Sequence, residues 1–175
     1  MKPVIADISS ALDEPGASVD VVRDIDLEPI VGAGTEYIPT DPGHIEVSLM
    51  NSGDGIVAMG TVSVTFRTEC SKCLEPFDLD VTANVEALYL AEEQTDAIGV
   101  DEDWEPLSGE SVDLAPAIRS ALQLALPFAP LHDEECAGIC PVCGCDLNKE
   151  SCDCSADEDT PHPFAALKDL TLEDG

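Results

Sequence analysis

Basic residues are scarce in this 175-residue sequence, which has 7 Lys and Arg against 37 Asp and Glu and a formal net charge of -30. Nucleic-acid binding takes most of its affinity from Lys and Arg placed at phosphates, so extensive direct contact with RNA is disfavoured. The same electrostatic field attracts basic proteins, which are therefore the expected partners. An excess of acid that serves only solubility is an equally good interpretation of this composition.

Aromatic residues and long apolar runs are also few. Aromatics make up 4% of the chain against 44% hydrophobic residues, so we expect one globular core that is mainly aliphatic. No apolar run approaches the roughly 20 residues of a membrane span, and the start Lys2-Pro-Val-Ile-Ala-Asp lacks the apolar core of a signal peptide. We expect a cytoplasmic protein with no membrane association. In that reducing compartment its eight cysteines are metal ligands or redox groups rather than disulfides.

Alternating apolar residues predict an antiparallel β meander. Alternation runs through residues 45–49 and 56–66, and the segment Asn51-Ser-Gly-Asp-Gly55 between them is typical of a turn. It resumes at 77–89, where apolar residues take one face and mainly acidic and polar residues take the other. One more strand is predicted near 19–27. Such a sheet buries one face and leaves the other in water.

A helix follows the meander, with Asp113 as its predicted N-cap and an apolar stripe of Leu114, Ile118, Ala121, Leu122 and Ala125 facing the sheet. The predicted fold class is therefore α+β, an antiparallel β meander packed against one main helix, with a C-terminal module resembling a zinc knuckle. Residues 1–130 form the sheet and helix domain, in which 1–44 are a loose lead-in. Residues 131–155 form the cysteine-rich metal module, and 156–175 form an acidic linker and a short C-terminal helix.

Six cysteines lie within the 19 residues from Cys136 to Cys154. In the CPVCG segment a tight turn points backbone amides at the sulfurs, and Gly144 allows the left-handed step that brings both thiolates to one ion. Zinc suits four such thiolates and supplies folding energy to a segment with almost no core of its own. An iron–sulfur cluster is the next candidate. The predicted ligands are Cys140, Cys143, Cys152 and Cys154.

The remaining donors indicate a second site. The Cys70-Ser-Lys-Cys73 pair lies between two predicted strands, and His132 stands four residues before Cys136. Two tetrahedral zinc ions need eight ligands, and the chain offers nine candidates. The ligand count therefore allows two zinc ions, although one, in the cysteine-rich segment, is favoured. The second site is predicted from Cys70, Cys73, His132 and Cys136. Cys145 is left over as a free thiol or an alternate ligand.

No pattern typical of an enzyme accompanies these ligands. Cys70 and Cys73 lie between strands, whereas a thioredoxin-like dithiol lies where a strand meets a helix. The sequence has no HExxH, no phosphate-binding glycine loop and no G-x-S-x-G elbow. We predict a protein without catalytic activity. A thiol-redox or zinc-dependent enzyme and a generic acidic protein-interaction module are the alternatives.

Four segments in fixed order resemble the YceD family, bacterial proteins named for accumulation of large-subunit ribosomal RNA. They are ECSKCLEPF at 69–77, the helix and its exit at 112–127, CAGICPVCG with the following DLN and CDC at 136–154, and PFAAL at 163–167. His132 stands where relatives with the fuller cysteine set often carry cysteine, an exchange that suits a zinc ligand. The resemblance implies a role in large-subunit rRNA accumulation and ribosome biogenesis, and no known catalytic activity. Together with the charge, it predicts action through a basic ribosomal protein or assembly factor of the large subunit.

Overall fold

A computed structural model of the chain describes residues 1–32, 34–91, 104–107 and 109–154. Within these ranges the chain is mostly antiparallel β-sheet with two helices, rather than the one main helix predicted, and a cysteine-rich segment follows. The elements are β1 Ile5–Asp7, α1 Ser9–Leu12, β2 Ser18–Ile25, β3 Ile30–Gly32, β4 Thr35–Pro39, β5 Gly43–Asn51, β6 Ile56–Glu69, β7 Pro76–Leu90, β8 Glu105–Pro106, β9 Ser111–Asp113 and α2 Ala115–Ala125. The acidic linker and C-terminal helix predicted for 156–175 lie outside the described residues.

The long strand β6 organises the larger sheet. It pairs antiparallel with β7 along its whole length, from Ile56 opposite Tyr89 to Glu69 opposite Pro76. Its other edge pairs first with β5 and then, near Arg67, with β4. β2 extends the sheet beyond β5, β3 extends it beyond β4, and β8 lies parallel to β7. The predicted antiparallel arrangement of the three meander strands is confirmed.

Side-chain alternation decides which face of this sheet is buried. On β7 the side chains of Val81, Ala83 and Val85 are buried, while Thr82 and Asn84 between them are exposed. The core is mainly aliphatic, and the rings of Tyr37, Phe66 and Tyr89 are also buried in it. This half-wet sheet follows from the period of two along a strand.

Helix α2 covers the buried face beside β7, with Ile118 and Leu122 fully buried. The helix begins one residue later than predicted, with Leu114 as the N-cap. The Asp113 carboxylate accepts the backbone N–H of Ala115 at 3.0 Å and that of Val4 at 2.8 Å. Asp113 therefore ties the start of the helix to the N-terminal segment. No helix in the described part of the chain has the length and hydropathy needed to span a bilayer.

The first 44 residues are more ordered than the predicted lead-in with one strand. They contain β1 to β4, helix α1 and the start of β5. The side chains of Val4, Ala6 and Ile8 are buried, and β1 pairs with β9, more than 100 residues away along the chain. A three-residue strand is too short to reveal an alternating pattern, so only its distant partner identifies it. The domain boundary at residue 130 stays a prediction.

Candidate metal centres

The first cluster consists of Cys70, Cys73, His132 and Cys136, whose ligand atoms all lie within 4.8 Å of one another. The sulfurs of Cys70 and Cys136 are 3.8 Å apart, and Cys73 Sγ is 3.4 Å from His132 Nδ1. Thiolates bound at about 2.3 Å to a tetrahedral zinc ion lie about 3.8 Å from each other and about 3.6 Å from a bound imidazole nitrogen. The donors and their spacing therefore fit zinc. These are the four residues that the sequence predicted for the second site.

The first cluster is shielded from solvent and lies at the tip of the β6–β7 hairpin. Cys70 is fully buried, Cys73 and Cys136 nearly so, and Phe77 and Leu131 pack against these cysteines. The turn is closed by two backbone bonds, from Cys70 N–H to the Glu75 carbonyl at 2.9 Å and from Leu74 N–H to the Cys70 carbonyl at 2.8 Å. The rigid hairpin thus supplies two ligands at a fixed spacing.

The turn at Cys140 repeats this local geometry. Gly144 N–H donates to the Cys140 carbonyl at 2.9 Å, as Leu74 N–H does to Cys70, and Val142 N–H points at Cys140 Sγ at 3.4 Å. Gly144 has a φ of 75° and Leu74 a φ of 63°. The sequence indicated the left-handed step at Gly144 but not the one at Leu74, where the shared C-x-x-C spacing was the available signal.

Substitutions at these two left-handed positions should have opposite effects on the free energy of unfolding. Leu74→Gly should raise the free energy of unfolding by about 0.5 kcal/mol, because the left-handed region costs a β-carbon residue about 1–2 kcal/mol and glycine returns part of this as chain entropy. Gly144→Ala should lower it by about 1 kcal/mol for the same reason. Leu74 is 58% exposed, so little packing is lost. Thermal unfolding of the zinc-loaded variants measures both, and changes of the same sign would contradict the shared turn geometry.

The second cluster consists of Cys140, Cys143, Cys145 and Cys152, again within 4.8 Å of one another. Cys140 is buried, Cys143 is exposed, and the other two are intermediate. Cys154, predicted as a ligand, is not part of this group, although its thiol interacts with those of Cys143 and Cys152. Cys145, left over in the sequence interpretation, takes its place. Five thiols are therefore available for four coordination positions.

Two serine variants distinguish these ligand sets. If the compact group binds the ion, Cys145→Ser should remove most zinc from the second cluster, and Cys154→Ser should leave the zinc content unchanged. Zinc measured per chain after dialysis against a weak chelator gives the answer. Loss of zinc from Cys154→Ser alone would instead support the ligand set predicted from the sequence. Unchanged zinc content in both variants would mean that either sulfur can complete the site.

Backbone donors prepare the first cluster to hold a cation. Burial raises the pKa of the Cys70 thiol, but the N–H groups of His132 and Cys73 and the His132 imidazole outweigh it and lower the pKa to about 5. Burial and the neighbouring thiols of Cys70 and Cys136 raise the pKa of Cys73 to about 11. The hydrogen bond to Cys70 raises the pKa of His132. A thiolate at Cys70 favours a divalent cation, and a bound ion in turn favours deprotonation of the thiols that bind it.

The second cluster has the same electrostatic character. The N–H groups of Cys143 and Val142, helped by the Cys152 thiol, lower the pKa of Cys140 to about 6. The Cys143 thiol and then burial raise the pKa of Cys145 to about 12, and the same two causes raise that of Cys154 to about 12. In each C-x-x-C turn the first cysteine therefore has a lowered pKa, and the thiolate that this favours can bind a cation.

Asn148 lies in the loop between Cys145 and Cys152 and contacts the first cluster. The sequence interpretation included it only within the DLN run. Its side chain accepts the N–H of Ala137 at 2.7 Å and donates to Cys136 Sγ at 3.5 Å. The hairpin tip contributes Lys72, whose carbonyl accepts Ile139 N–H at 3.2 Å and whose ammonium donates to the Cys136 carbonyl at 3.1 Å. These polar bonds hold the cysteine-rich segment against the β6–β7 turn, where the first cluster draws ligands from both.

An antiparallel sheet that carries two four-ligand cysteine clusters defines a β-rich protein with sites compatible with metal binding. Residues 58–171 match the family model described as Large ribosomal RNA subunit accumulation protein YceD. The chain belongs to this family. The matched range includes every residue of both clusters, and it supports a ribosome-related role.

Several relatives extend the similarity beyond the family model. The chain is 28% identical over 152 residues to an uncharacterized protein of Mycobacterium tuberculosis, covering 85% of this chain and 72% of that one. An uncharacterized protein of Mycobacterium leprae is 24% identical, over 84% of this chain and 69% of its own length. The chloroplastic Large ribosomal RNA subunit accumulation protein YCED homolog 1 of Arabidopsis thaliana is 25% identical, over 70% of this chain and 47% of its own. No solved structure is detectably similar.

Proposed function

We propose that this chain is a zinc-stabilised, non-catalytic factor that supports accumulation of large-subunit ribosomal RNA by binding basic ribosomal proteins or assembly factors. The observation that carries the proposal is the first cluster, because it joins two distant parts of the chain through four well-spaced ligands within a family named for rRNA accumulation.

The ligand number supports a structural role for the metal. Structural zinc sites have four protein ligands, whereas catalytic sites keep one position open for water or substrate. Each cluster offers four side chains, and three of those in the first cluster are buried. Such a site holds the hairpin tip and the cysteine-rich segment in one arrangement, and leaves no position for a substrate.

The charge supports a protein partner rather than bare RNA. Of the 7 basic residues in the chain, Lys2, Arg67 and Lys149 are in ion pairs with carboxylates. Arg23 and Lys72 donate to backbone carbonyls. Few cations remain to contact phosphates, while the acidic surface attracts Lys and Arg of another protein.

Deletion of the gene tests the role in the cell. We expect large-subunit rRNA to fall relative to small-subunit rRNA, and a wild-type copy to restore the ratio. A copy that lacks Cys70 and Cys73 should fail to restore it, and a copy with Ser71→Ala, at the exposed residue between them, serves as the control. Normal rRNA ratios and ribosome profiles in the deletion strain would favour a generic acidic interaction module instead.

Thiol titration tests the absence of catalysis. Zinc-loaded protein should hide its ligand thiols from a thiol reagent until a strong chelator strips the metal. A thiol-redox enzyme would keep a fast-reacting thiol in the loaded state. Cys143 and Cys154 are exposed, so they are the thiols to identify by mass spectrometry if such a reactive group appears.

A further inference from the structure

The outward side of strands β2, β5, β6 and β7 forms a continuous surface, here named the outer face. Its register runs from Asp20 through Ser48 and Met59 to Glu86, so side chains of all four strands lie side by side. Of the described helices, α2 packs on the opposite, buried side of the sheet at β7. Helix α1 contacts β2 and β5, and its Ala11 is buried.

Carboxylates line both margins of the outer face. Asp20, Asp24 and Glu46 lie on β2 and β5, and Asp78, Asp80 and Glu86 lie on β7. Hydroxyl-bearing side chains of β6 lie between these margins. The three strand spacings from β2 to β7 span about 14 Å, which is wide enough for one helix of about 10–12 Å diameter or for an extended segment.

The cations on this face are already engaged. Arg67 Nε is 2.8 Å from the Asp78 carboxylate. His44 lies between Asp24 at 2.7 Å and Glu46 at 3.5 Å. Both margins therefore keep a net negative charge. The positive charge that would balance it must come from a partner.

One end of the outer face is apolar. Met50, Val57 and Leu88 lie side by side across β5, β6 and β7. Met50 is 43% and Met59 is 55% exposed. Flexible methionine side chains adapt to apolar groups of varied shape. A partner matched to this surface has basic side chains along its length and an apolar side chain at one end.

The charge of each candidate ligand decides which of them could bind this surface. A second copy of the chain would bring a net charge of -30 against the same acidic margins. The chain's own segment 155–175 has six acidic residues and one lysine, so it is repelled as well. RNA is excluded by the sign of its phosphates. A basic protein segment is the occupant that both the charge and the apolar end favour.

We propose that the outer face is the docking surface for a Lys/Arg-rich protein segment whose apolar side chain packs on Met50 and Met59. This inference rests on the proposed function and identifies the surface that acts in it. The cysteine clusters then set the shape of the chain at the tip of the β6–β7 hairpin, and the outer face, which lies along the strands, binds the partner.

Matched charge variants test the surface. One variant is Asp20→Asn, Asp24→Asn and Glu46→Gln, and the control is Asp13→Asn, Glu14→Gln and Glu110→Gln, with the same change in net charge outside the outer face. The probe is a fluorescent 16-residue peptide of lysine and serine with two leucines at one end. The surface variant should bind it roughly tenfold more weakly than the control, since each ion pair contributes a few tenths to one kcal/mol.

The apolar end has its own comparison. Met59→Gln should weaken binding of the leucine peptide and not of the same peptide with serine in place of leucine, and Phe128→Gln, at a side chain 86% exposed elsewhere, should affect neither. Amide shifts on labelled protein should move on β2, β5, β6 and β7. Equal weakening by the surface and control variants, or shifts confined to other elements, would overturn the docking surface.

A second probe separates this inference from the proposed function. Purified large-subunit ribosomal proteins are passed over the immobilised zinc-loaded chain. If they bind the surface and control variants equally, the docking surface is refuted and the proposed function stands. If they bind neither variant nor the wild type, the proposed function fails too. Dimerisation, or binding of the peptide only after removal of 155–175, would also refute the inference, because an acidic occupant would then hold the face.

Discussion

Replacing Cys70 and Cys73 together by serine is expected to remove one zinc ion per chain and release the cysteine-rich segment from the sheet. Serine hydroxyls bind zinc poorly at neutral pH, so the first cluster would retain only His132 and Cys136. Structural zinc contributes on the order of 10 kcal/mol of apparent binding free energy in small zinc domains. Loss of even about 4 kcal/mol would lower the Tm by roughly 10 °C in a chain of this size.

Zinc analysis and calorimetry measure this effect, and hydrogen exchange locates it. Amides of 131–154 should lose protection, while those of β5, β6 and β7 should keep it, because the sheet has its own aliphatic core. Ser71→Ala is the matched control, since Ser71 is an exposed non-ligand between Cys70 and Cys73. Unchanged zinc content and Tm in the double variant would refute the first cluster as a metal site. Stripping zinc from the wild type with a strong chelator should reproduce the loss of protection.

Gly60→Val should unfold the chain or destabilise it by about 4 kcal/mol or more, because the added side chain would collide with backbone atoms of β5. Gly60 lies on β6 opposite Val47 of β5 and Val85 of β7. A β-carbon at this position would lie 2.1 Å from the Glu46 carbonyl oxygen and 2.6 Å from Val47 Cα. Backbone atoms of a paired strand cannot rotate away, so β5 and β6 would have to separate where both are central to the sheet.

Denaturant unfolding gives the magnitude of this effect. The control is Thr61→Val, at the next residue of β6, whose side chain points to the other side of the sheet and meets no such approach. Thr61→Val should change the free energy of unfolding by no more than about 0.5 kcal/mol. A Gly60→Val protein as stable as the control would mean that the two strands lie farther apart than the structure has them.

The sequence revealed the meander because each of its strands is long enough to alternate. More and less buried side chains alternate through 45–49, through most of 56–66 and through 77–86, as the pattern predicted. By contrast β1, β3, β8 and β9 have two or three residues each. Elements of this length have no measurable period, and β1 is identified only by its pairing with β9, which lies more than 100 residues later in the sequence.

The candidate ligands were predictable to a similar degree. The sequence singled out Cys70, Cys73, His132 and Cys136 by counting donors, and the structure brings these four together. For the second cluster it named Cys154, which lies outside the compact group, and left over Cys145, which lies inside it. The ligand set of this cluster stays a prediction. Counting identifies donors but not the direction in which a side chain points, and between five closely spaced thiols that direction decides.

By itself the sequence determined the chemistry of this protein: thiol and imidazole donors, an acid excess that repels phosphate, and the half-wet strands. Tertiary structure decided which donors meet, how the hairpin tip and the cysteine-rich segment are held together, and that the acidic margins share one face. The physical reason is distance along the chain. Composition and periodicity are local properties, whereas Cys70 and Cys136 are 66 positions apart, as are Asp20 and Glu86. Strand pairing places Asp20 on one face with Glu86. Contacts of the cysteine-rich segment with the β6–β7 turn bring Cys136 to Cys70.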